Sequence, residues 1–388
     1  MQSVSQSPTE PAFVQNPYPF YARARASGDL VFWEEFNMPC ATTHKAVHAF
    51  LRDKRFGREC PAELSAKPPL HLSDFYALES HSMLELEAPR HTRLRSLVLR
   101  AFTSRRIKEL APEIEHLCHS LIDAFPEDAP FDLLPSYCTP LPVVIICRLL
   151  GVPEEMAPEL LKWSNDMVSL YQARRTPEIE QTANAAARDF AAFMRSYVDK
   201  RRQSPADDLI SELIAAEEDG AKLSTDELIA TCILLLNAGH EATVHTLGNG
   251  VKTLLSHGGL VADSQTVEEI LRYDPPLHMF TRYAYEDVTL FEHSFKRGDQ
   301  IALLLASSGR DSAQWDTADK FDPARNVSTN HAFGGGAHFC VGAPLARLEL
   351  LIALQTLHAR CPNLRSAAPS EYANLYHFHG LKTLMVST

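Results

Sequence analysis

The sequence predicts a mainly α-helical protein with a smaller β part, folded as a single domain over residues 1–388. Three observations lead there. Long segments carry apolar residues at helical spacing, whereas short strand-like runs alternate with turns only after residue 288. A chain of 388 residues could hold two or three domains of about 150 residues each, yet no Gly/Ser-rich linker, low-complexity tract or solenoid-period repeat divides it. The composition, 45% hydrophobic and 22% charged, is that of a globular protein with enough apolar material for one large core.

Residues Met1 to Glu10 are polar, and no basic-then-apolar signal follows them. Ordered structure is expected to start at Asn16-Pro-Tyr-Pro-Phe20, leaving about residues 1–15 as a loose N-terminus. The Pro/Ser/His-rich stretch from Cys60 to Ser82 has no clean period and reads as a long irregular loop, a feature that is usually functional. From Thr92 to Phe125 helical spacing returns, with Leu94, Leu97, Val98 and Ala101, then Leu110, Ile114, Leu117, Leu121 and Ile122.

The clearest helix runs from Ser224 to about His257. Ser224-Thr-Asp-Glu227 fits a capping box, and the roughly 30 residues that follow span about 45 Å at the α-helical rise. They are apolar on nearly all sides, which places the helix in the middle of the protein. Polar and small residues interrupt it at Asn237-Ala-Gly-His-Glu-Ala-Thr243. A glycine there costs up to about 1 kcal/mol against alanine, so something other than helix propensity favours Gly239. A shorter helix is expected from about Ser264 to Tyr273, stopped by Asp274-Pro-Pro276. Strands follow at Val288–Phe291, Gln300–Leu305 and Leu381–Val386. A last helix is expected from about Pro344 to Leu357, its proline in the first turn, where a missing N–H costs nothing.

The net charge of -12 argues against nucleic acid as a partner. No apolar run approaches the roughly 20 residues of a bilayer span, so no membrane anchor and a cytoplasmic location are expected. The eight cysteines show no CxxC or zinc-ligand spacing, and most should be buried thiols. Cys340 has unusual neighbours. Gly334, Gly335 and Gly336 precede it and Gly342 follows, allowing positive φ and close backbone approach to a flat ligand. Lying just before the last helix, its sulfur faces amide N–H groups that favour the thiolate. On these grounds alone it could be a nucleophile, a redox sensor, an iron ligand or a buried thiol in a Gly-rich turn.

The pattern Phe333-Gly334-x-Gly336-x-His338-x-Cys340-x-Gly342 resembles the haem-binding loop of the cytochrome P450 family at every fixed position. Ala343-Pro-Leu-Ala-Arg-Leu-Glu349 continues in the manner of its soluble bacterial members. The resemblance implies the cytochrome P450 fold and haem b (iron protoporphyrin IX), with Cys340 as axial iron ligand. Phe333, Gly334, His338, Gly342 and Ala346 would lie around the cofactor. Glu269-Ile-Leu-Arg272 resembles the family's ExxR motif, and Phe321-Asp-Pro-Ala-Arg325 the segment that adds a second arginine. Glu269, Arg272 and Arg325 would form a structural brace behind the loop. His91 and Arg95, four apart on one helical face, and Arg282 with His338 would hold the haem propionates. The family often has His three residues before the loop phenylalanine; this chain has Asn330 there and His331 one place later.

Ala238 to Thr243 resembles the family's oxygen-binding bend. Ala238 and Gly239 would leave room for dioxygen, and Glu241 would pass protons towards it. The family's threonine is missing: Ala242 holds its place, and Thr243, one residue on, is turned by about 100°. A substrate hydroxyl or an ordered water is the expected substitute. The implied activity is a monooxygenase using O2, fed by a ferredoxin-type electron donor and its reductase. Arg95, Arg100, Arg105, Arg106 and Lys108 form a basic region suited to an acidic partner. The implied substrate pocket draws on the Cys60–Ser82 loop, Leu161–Tyr171, Leu234, Asn237, Ala238, His278, Met279, His377 and Phe378. It suits a small or medium hydrophobic molecule with one or two polar groups. A peroxide-driven haem-thiolate oxygenase and a non-catalytic haem-binding sensor are the alternatives; Glu241 argues for ordinary oxygen use.

Overall fold

The structure, a computed structural model, describes residues 1–388 except 128, 172–174, 217–219, 221, 261 and 377. It comprises two compact units. The first is built from Met1–Leu64, Glu115–Cys138 and Ala242–Thr388, the second from Ser65–Ile114 and Thr139–Glu241.

The first unit holds a six-stranded sheet in the order Gln2–Val4, Leu30–Trp33, Met38–Ala41, Gln300–Leu304, Met279–Ala284, Phe56–Gly57. Alternate side chains of each strand enter different cores, as the two-residue strand period requires. Leu30, Ala41, Ile301 and Leu303 join Val47, Phe50, Phe56 and Phe295. Val31, Trp33, Cys40, Ala302 and Leu304 join Phe13, Phe20 and Tyr21. Burial on both faces explains why Ile301 to Leu304 is continuously apolar rather than alternating.

The N-terminus is a correction. Gln2–Val4 pairs in parallel with Leu30–Trp33, Gln2 opposite Val31 and Val4 opposite Trp33. Trp33 Nε1 donates to the Gln6 carbonyl at 2.8 Å, and the Phe13 ring is buried beside Phe20 and Trp33. Backbone pairing at a sheet edge satisfies a polar sequence without any apolar pattern to announce it. The C-terminal run is likewise two strands. Leu381–Thr383 pairs with Glu371–Tyr372, and Met385–Ser387 with Arg365–Ser366 and Phe131–Asp132. Between them the Leu384 amide donates to Asp132 Oδ1 at 2.9 Å, which turns the chain from one partner to the other.

The long helix is Thr225–Ser256, and its residues pass from the second unit to the first after Glu241. The capping box is reciprocal: the Glu227 amide donates to Ser224 Oγ at 3.2 Å and the Ser224 amide to Glu227 Oε2 at 2.8 Å. In the first unit its glycines permit close packing, since a Cβ on Gly250 would lie 3.1 Å from Ile270 Cδ1. The next helix, Ser264–Tyr273, is capped by Asp263 with Thr266 as its reciprocal partner. The last helix is Ala343–Arg360.

The second unit is helical. Arg90–Ala101 and Ser104–Glu109 lie in the stretch expected to be helical, which continues as Ala111–Asp123, whose residues pass to the first unit after Ile114. The apolar run Leu141–Cys147 lies in Pro140–Leu150, closed by Gly151 at φ 78°. The helix Pro177–Gln203, 27 residues long and capped by Thr176, had no counterpart in the sequence reading. The Cys60–Ser82 stretch is less irregular than expected, because it contains the helix Ser73–Glu79. Asn184 Oδ1 accepts from the amides of Asp74 and Phe75 at 3.0 Å, so a side chain on Pro177–Gln203 satisfies the exposed first turn. Among the described residues no helix is long and apolar enough to cross a membrane.

Candidate functional site

Cys340 is the one exposed cysteine; Cys60 is half-buried and the other six are buried. Burial pushes the thiols of Cys40, Cys147 and Cys232 up to about 12 and that of Cys118 to about 11. Those side chains are inert core groups, and ligand chemistry falls to Cys340. Its amide donates to the Phe333 carbonyl at 3.1 Å, closing the loop on itself. The helix Ala343–Arg360 starts three residues later with Gly342 as N-cap, and the Ala346 amide donates to the Gly342 carbonyl at 2.9 Å. The orphan amides of that first turn lie next to Cys340 in sequence and favour its ionised form.

Two of the three glycines take positive φ, Gly334 at 70° and Gly336 at 65°, while Gly335 is extended. The close approach at Gly336 is to protein: a Cβ there would stand 2.2 Å from the carbonyl oxygen of Leu51, at the end of the helix His44–Arg52. Left-handed backbone and backbone contact both require glycine. Gly336→Ala is therefore expected to lower stability by about 2–4 kcal/mol and to reduce haem retention. A urea titration with the haem-to-protein ratio checks this; a change under about 0.5 kcal/mol would contradict it.

Glu269 and Arg272 form a completely buried pair, with Arg272 Nε to Glu269 Oε2 at 2.6 Å and Nη2 to Oε1 at 2.7 Å. Arg272 Nη1 also donates to the carbonyls of Gly309 and Ala318 at 2.6 and 2.8 Å. Arg325 Nε lies 3.3 Å from the Glu269 carboxylate and its Nη1 donates to the Asp316 carbonyl at 2.6 Å. The structure thus brings together all three residues singled out as a brace. Beside them is a connection the sequence reading missed. Glu268 accepts from Arg347 and from Asn330 Nδ2 at 2.9 Å, and the Arg347 guanidinium lies 4.6 Å from the centre of the Phe333 ring. Arg347 follows Ala346 near the start of the last helix, and nothing in its sequence spacing names Glu268, 79 residues earlier, as its partner.

Asn330 is thereby committed to Glu268. His331 is buried too, its Nδ1 2.9 Å from Ser308 Oγ and its Nε2 3.3 Å from His48 Nδ1. Burial, with His44, His48 and Arg52 nearby, pushes the His331 imidazole down to about 3. A second buried imidazole, His379, is pushed to about 3 by burial and by Lys252, His245 and Arg310. In the unfolded chain both bind a proton near pH 6.5, so below that pH the unfolded state holds more protons and stability falls with acidification. Between about pH 6 and 4 each histidine should remove about 1.4 kcal/mol per pH unit. His331→Gln should flatten this slope in urea titrations, and an unchanged slope would refute the assignment.

His91 is buried and Arg95 half-buried on the helix Arg90–Ala101. In the other unit Arg282 is buried on Met279–Ala284, with Nη1 donating to the Thr281 carbonyl at 2.8 Å, and His338 is half-buried in the cysteine loop.

The middle of the long helix is open on one side. Ala238 is exposed and Leu234, Gly239, Glu241 and Ala242 are half-buried, whereas Asn237, His240 and Thr243 are buried. His240 Nδ1 is 2.7 Å from the Leu236 carbonyl. Ala242 and Thr243 therefore present to different sides, as a 100° step dictates. A Cβ on Gly239 would make only ordinary contact, 3.6 Å from Ile146 Cδ1, so packing does not demand this glycine.

Of the residues expected to face substrate, Leu234 and Ala238 lie on this open side, and Met279 is half-buried. Phe378 is buried with its ring 5.6 Å from that of His245. His377 lies outside the described residues. His278 is a correction: it is fully buried, with Nδ1 2.9 Å from Tyr21 Oη and its ring 4.4 Å from that of His379. An aromatic cluster took a side chain that its sequence position suggested for a pocket.

The donor set fits a haem with a thiolate ligand. One exposed cysteine sits just before a helix N-terminus, a braced glycine loop carries it, and Arg282 and His338, side chains of the kind that bind propionates, stand in the same unit. The protein-family model for Cytochrome P450 matches residues 42–260 and 264–361. The chain is 36% identical to the cytochrome P450 monooxygenase PikC of Streptomyces venezuelae, covering 96% of this chain and 91% of that protein. It is also 36% identical to the vitamin D(3) 25-hydroxylase of Pseudonocardia autotrophica, over 92% of this chain and 89% of the relative. The solved structure of P450BioI in complex with hexadec-9Z-enoic acid ligated acyl carrier protein superposes with a TM-score of 0.91 at 31% identity, covering 98% of this chain and 100% of that one. The chain belongs to the cytochrome P450 family, the haem-thiolate monooxygenases.

Proposed function

We propose that this chain inserts one atom of O2 into a small or medium hydrophobic organic molecule, using electrons from a separate ferredoxin-type protein and its reductase in the cytoplasm. The observation that carries the reading is the single exposed cysteine, Cys340, held at a helix N-terminus by a braced glycine loop. Haem b would be held by Cys340, with His91, Arg95, Arg282 and His338 for the propionates. When bound, it supplies the oxygen-activating chemistry, which thiolate electron donation directs towards O–O cleavage. The rest falls to the protein. In the second unit Leu234 and Ala238 offer an apolar stretch of helix, and in the first unit Met279 is half-buried. One relative is named for vitamin D(3), and P450BioI was solved with a hexadecenoic acid on its carrier protein, both largely hydrocarbon. Glu241, half-buried in the polar interruption of an otherwise apolar helix, is the group to move protons in from solvent.

Purified holoenzyme, a ferredoxin, its reductase and a substrate found by spin-state shift should give product that carries oxygen from labelled O2. Product formed with hydrogen peroxide alone and none with the electron donor would favour the peroxide-driven reading, which the missing threonine keeps in play. Turnover of no bound ligand with electrons supplied would favour a sensor.

Ala242 has no hydroxyl to donate, so a substrate hydroxyl or an ordered water takes that part. Ala242→Thr is then expected to leave product per electron within about twofold of wild type, or to lower it. A rise of tenfold or more, about 1.4 kcal/mol, would show that no substitute donor was present.

A further inference from the structure

Behind the sheet of the first unit lies a second group of metal-ligating side chains that the oxygen chemistry does not use. Asp274, His278 and His379 are all buried and each offers a ligand atom, all within 4.8 Å of one another. Asp274 ends the helix Ser264–Tyr273, His278 precedes the strand Met279–Ala284, and His379 lies between the paired strands Glu371–Tyr372 and Leu381–Thr383, so the group joins three parts of the chain. His379 Nε2 stands 3.6 Å from Asp274 Oδ1. That is close to the ligand-to-ligand edge of a tetrahedral ion with bonds of about 2.0–2.1 Å. The imidazole of His278 is completely buried, and among the described residues its Nε2 has no hydrogen-bond partner. Buried ring nitrogens are normally paired, so this one points to a missing ligand. Nearby, Asn249 donates from Nδ2 to the carbonyls of His379 and Asp274 at 2.9 and 3.5 Å, while its buried Oδ1 is also without a partner among the described residues.

We propose that Asp274, His278 and His379 form a binding site for a divalent transition-metal ion of the zinc class.

The surroundings supply the outer partners such a site needs. Tyr18 and Tyr372 donate to Asp274 Oδ1 and Oδ2 at 2.7 and 2.5 Å, fixing the carboxylate and leaving lone pairs for an ion. With Nε2 on the ion, His278 would donate from Nδ1 to Tyr21 Oη, which also meets Tyr376 Oη at 3.0 Å. A cavity of about 280 Å³ lined by Tyr18, Lys252, Asp274, Arg310, Tyr372 and His379 gives a route in. Arg310, stacked 3.4 Å from the Tyr18 ring and 3.7 Å from the Tyr273 ring, and Lys252, 4.2 Å from the Tyr372 ring, repel any cation. That repulsion acts on every divalent ion alike; the choice of ion falls to the donors, and two imidazoles with one carboxylate favour zinc-class ions over calcium and magnesium, which take oxygen ligands.

The test uses holoenzyme stripped with a chelator, incubated with zinc chloride and desalted. Wild type should retain about one zinc per chain, with X-ray absorption showing about two imidazoles in its shell. His379→Gln and Asp274→Asn should each weaken zinc binding by about a hundredfold or more. A wild type that retains no zinc would overturn the proposal. So would a zinc shell without imidazole, or affinity unchanged in folded His379→Gln protein. Should a variant not fold, the wild-type absorption spectrum alone decides.

Discussion

Replacing Arg272 by alanine is expected to remove about 3–5 kcal/mol of stability, the usual cost of leaving half of a buried ion pair uncompensated. Against the 5–15 kcal/mol that holds a typical domain, this is enough to populate unfolded chains at ordinary temperature. The guanidinium makes two bonds to Glu269 and three to the carbonyls of Gly309, Ala318 and Lys320. Removing it strands the Gly309 and Ala318 carbonyls, leaves Lys320 with Arg325 Nη2 at 3.3 Å, and leaves a carboxylate whose remaining partners are Arg325 and the Asp322 amide at 2.8 Å. Arg272→Lys should recover little, because a single ammonium cannot match a planar fork that reaches four groups at once. The pair also carries the haem loop indirectly, since neighbouring Glu268 holds Arg347 and Asn330, so haem content should fall with stability. Urea midpoints and haem-to-protein ratios measure both. A loss below about 1 kcal/mol would mean that the cluster relaxes around the gap.

What the sequence revealed and concealed follows from the range of each interaction. Ser224 and Glu227, or Asp274 before two prolines, act within one turn of chain, so those boundaries were legible. So was the loop to Cys340, because left-handed backbone selects glycine locally. The strand Gln2–Val4 exists only through pairing with residues near 31, and no property of Gln-Ser-Val announces that. His278 illustrates the same limit: alternation along a strand cannot say that Tyr21 and His379 close over it. Asn330 and His331 show it at the site, where long-range partners Glu268 and Ser308 decide what those side chains do.

Cys340→Ser should abolish the thiolate signature of the reduced, carbon monoxide-bound protein and lower turnover on the order of a thousandfold, about 4 kcal/mol of barrier. The reason lies in charge. The first-turn amides of Ala343–Arg360 follow Cys340 in sequence, a setting that favours an anion, and a serine hydroxyl is far more weakly acidic than a thiol and a poorer iron ligand. No other cysteine can take over, because six are buried with their thiols held neutral or their chains packed in the core, and Cys60 lies far away in sequence outside the loop. Stability should change by less than about 1 kcal/mol, since the loop is closed by the Cys340 amide rather than its sulfur. Loss of turnover with retained stability separates this variant from Arg272→Ala, where both fall together. Full turnover and an unchanged spectrum in Cys340→Ser would remove the thiolate from the mechanism.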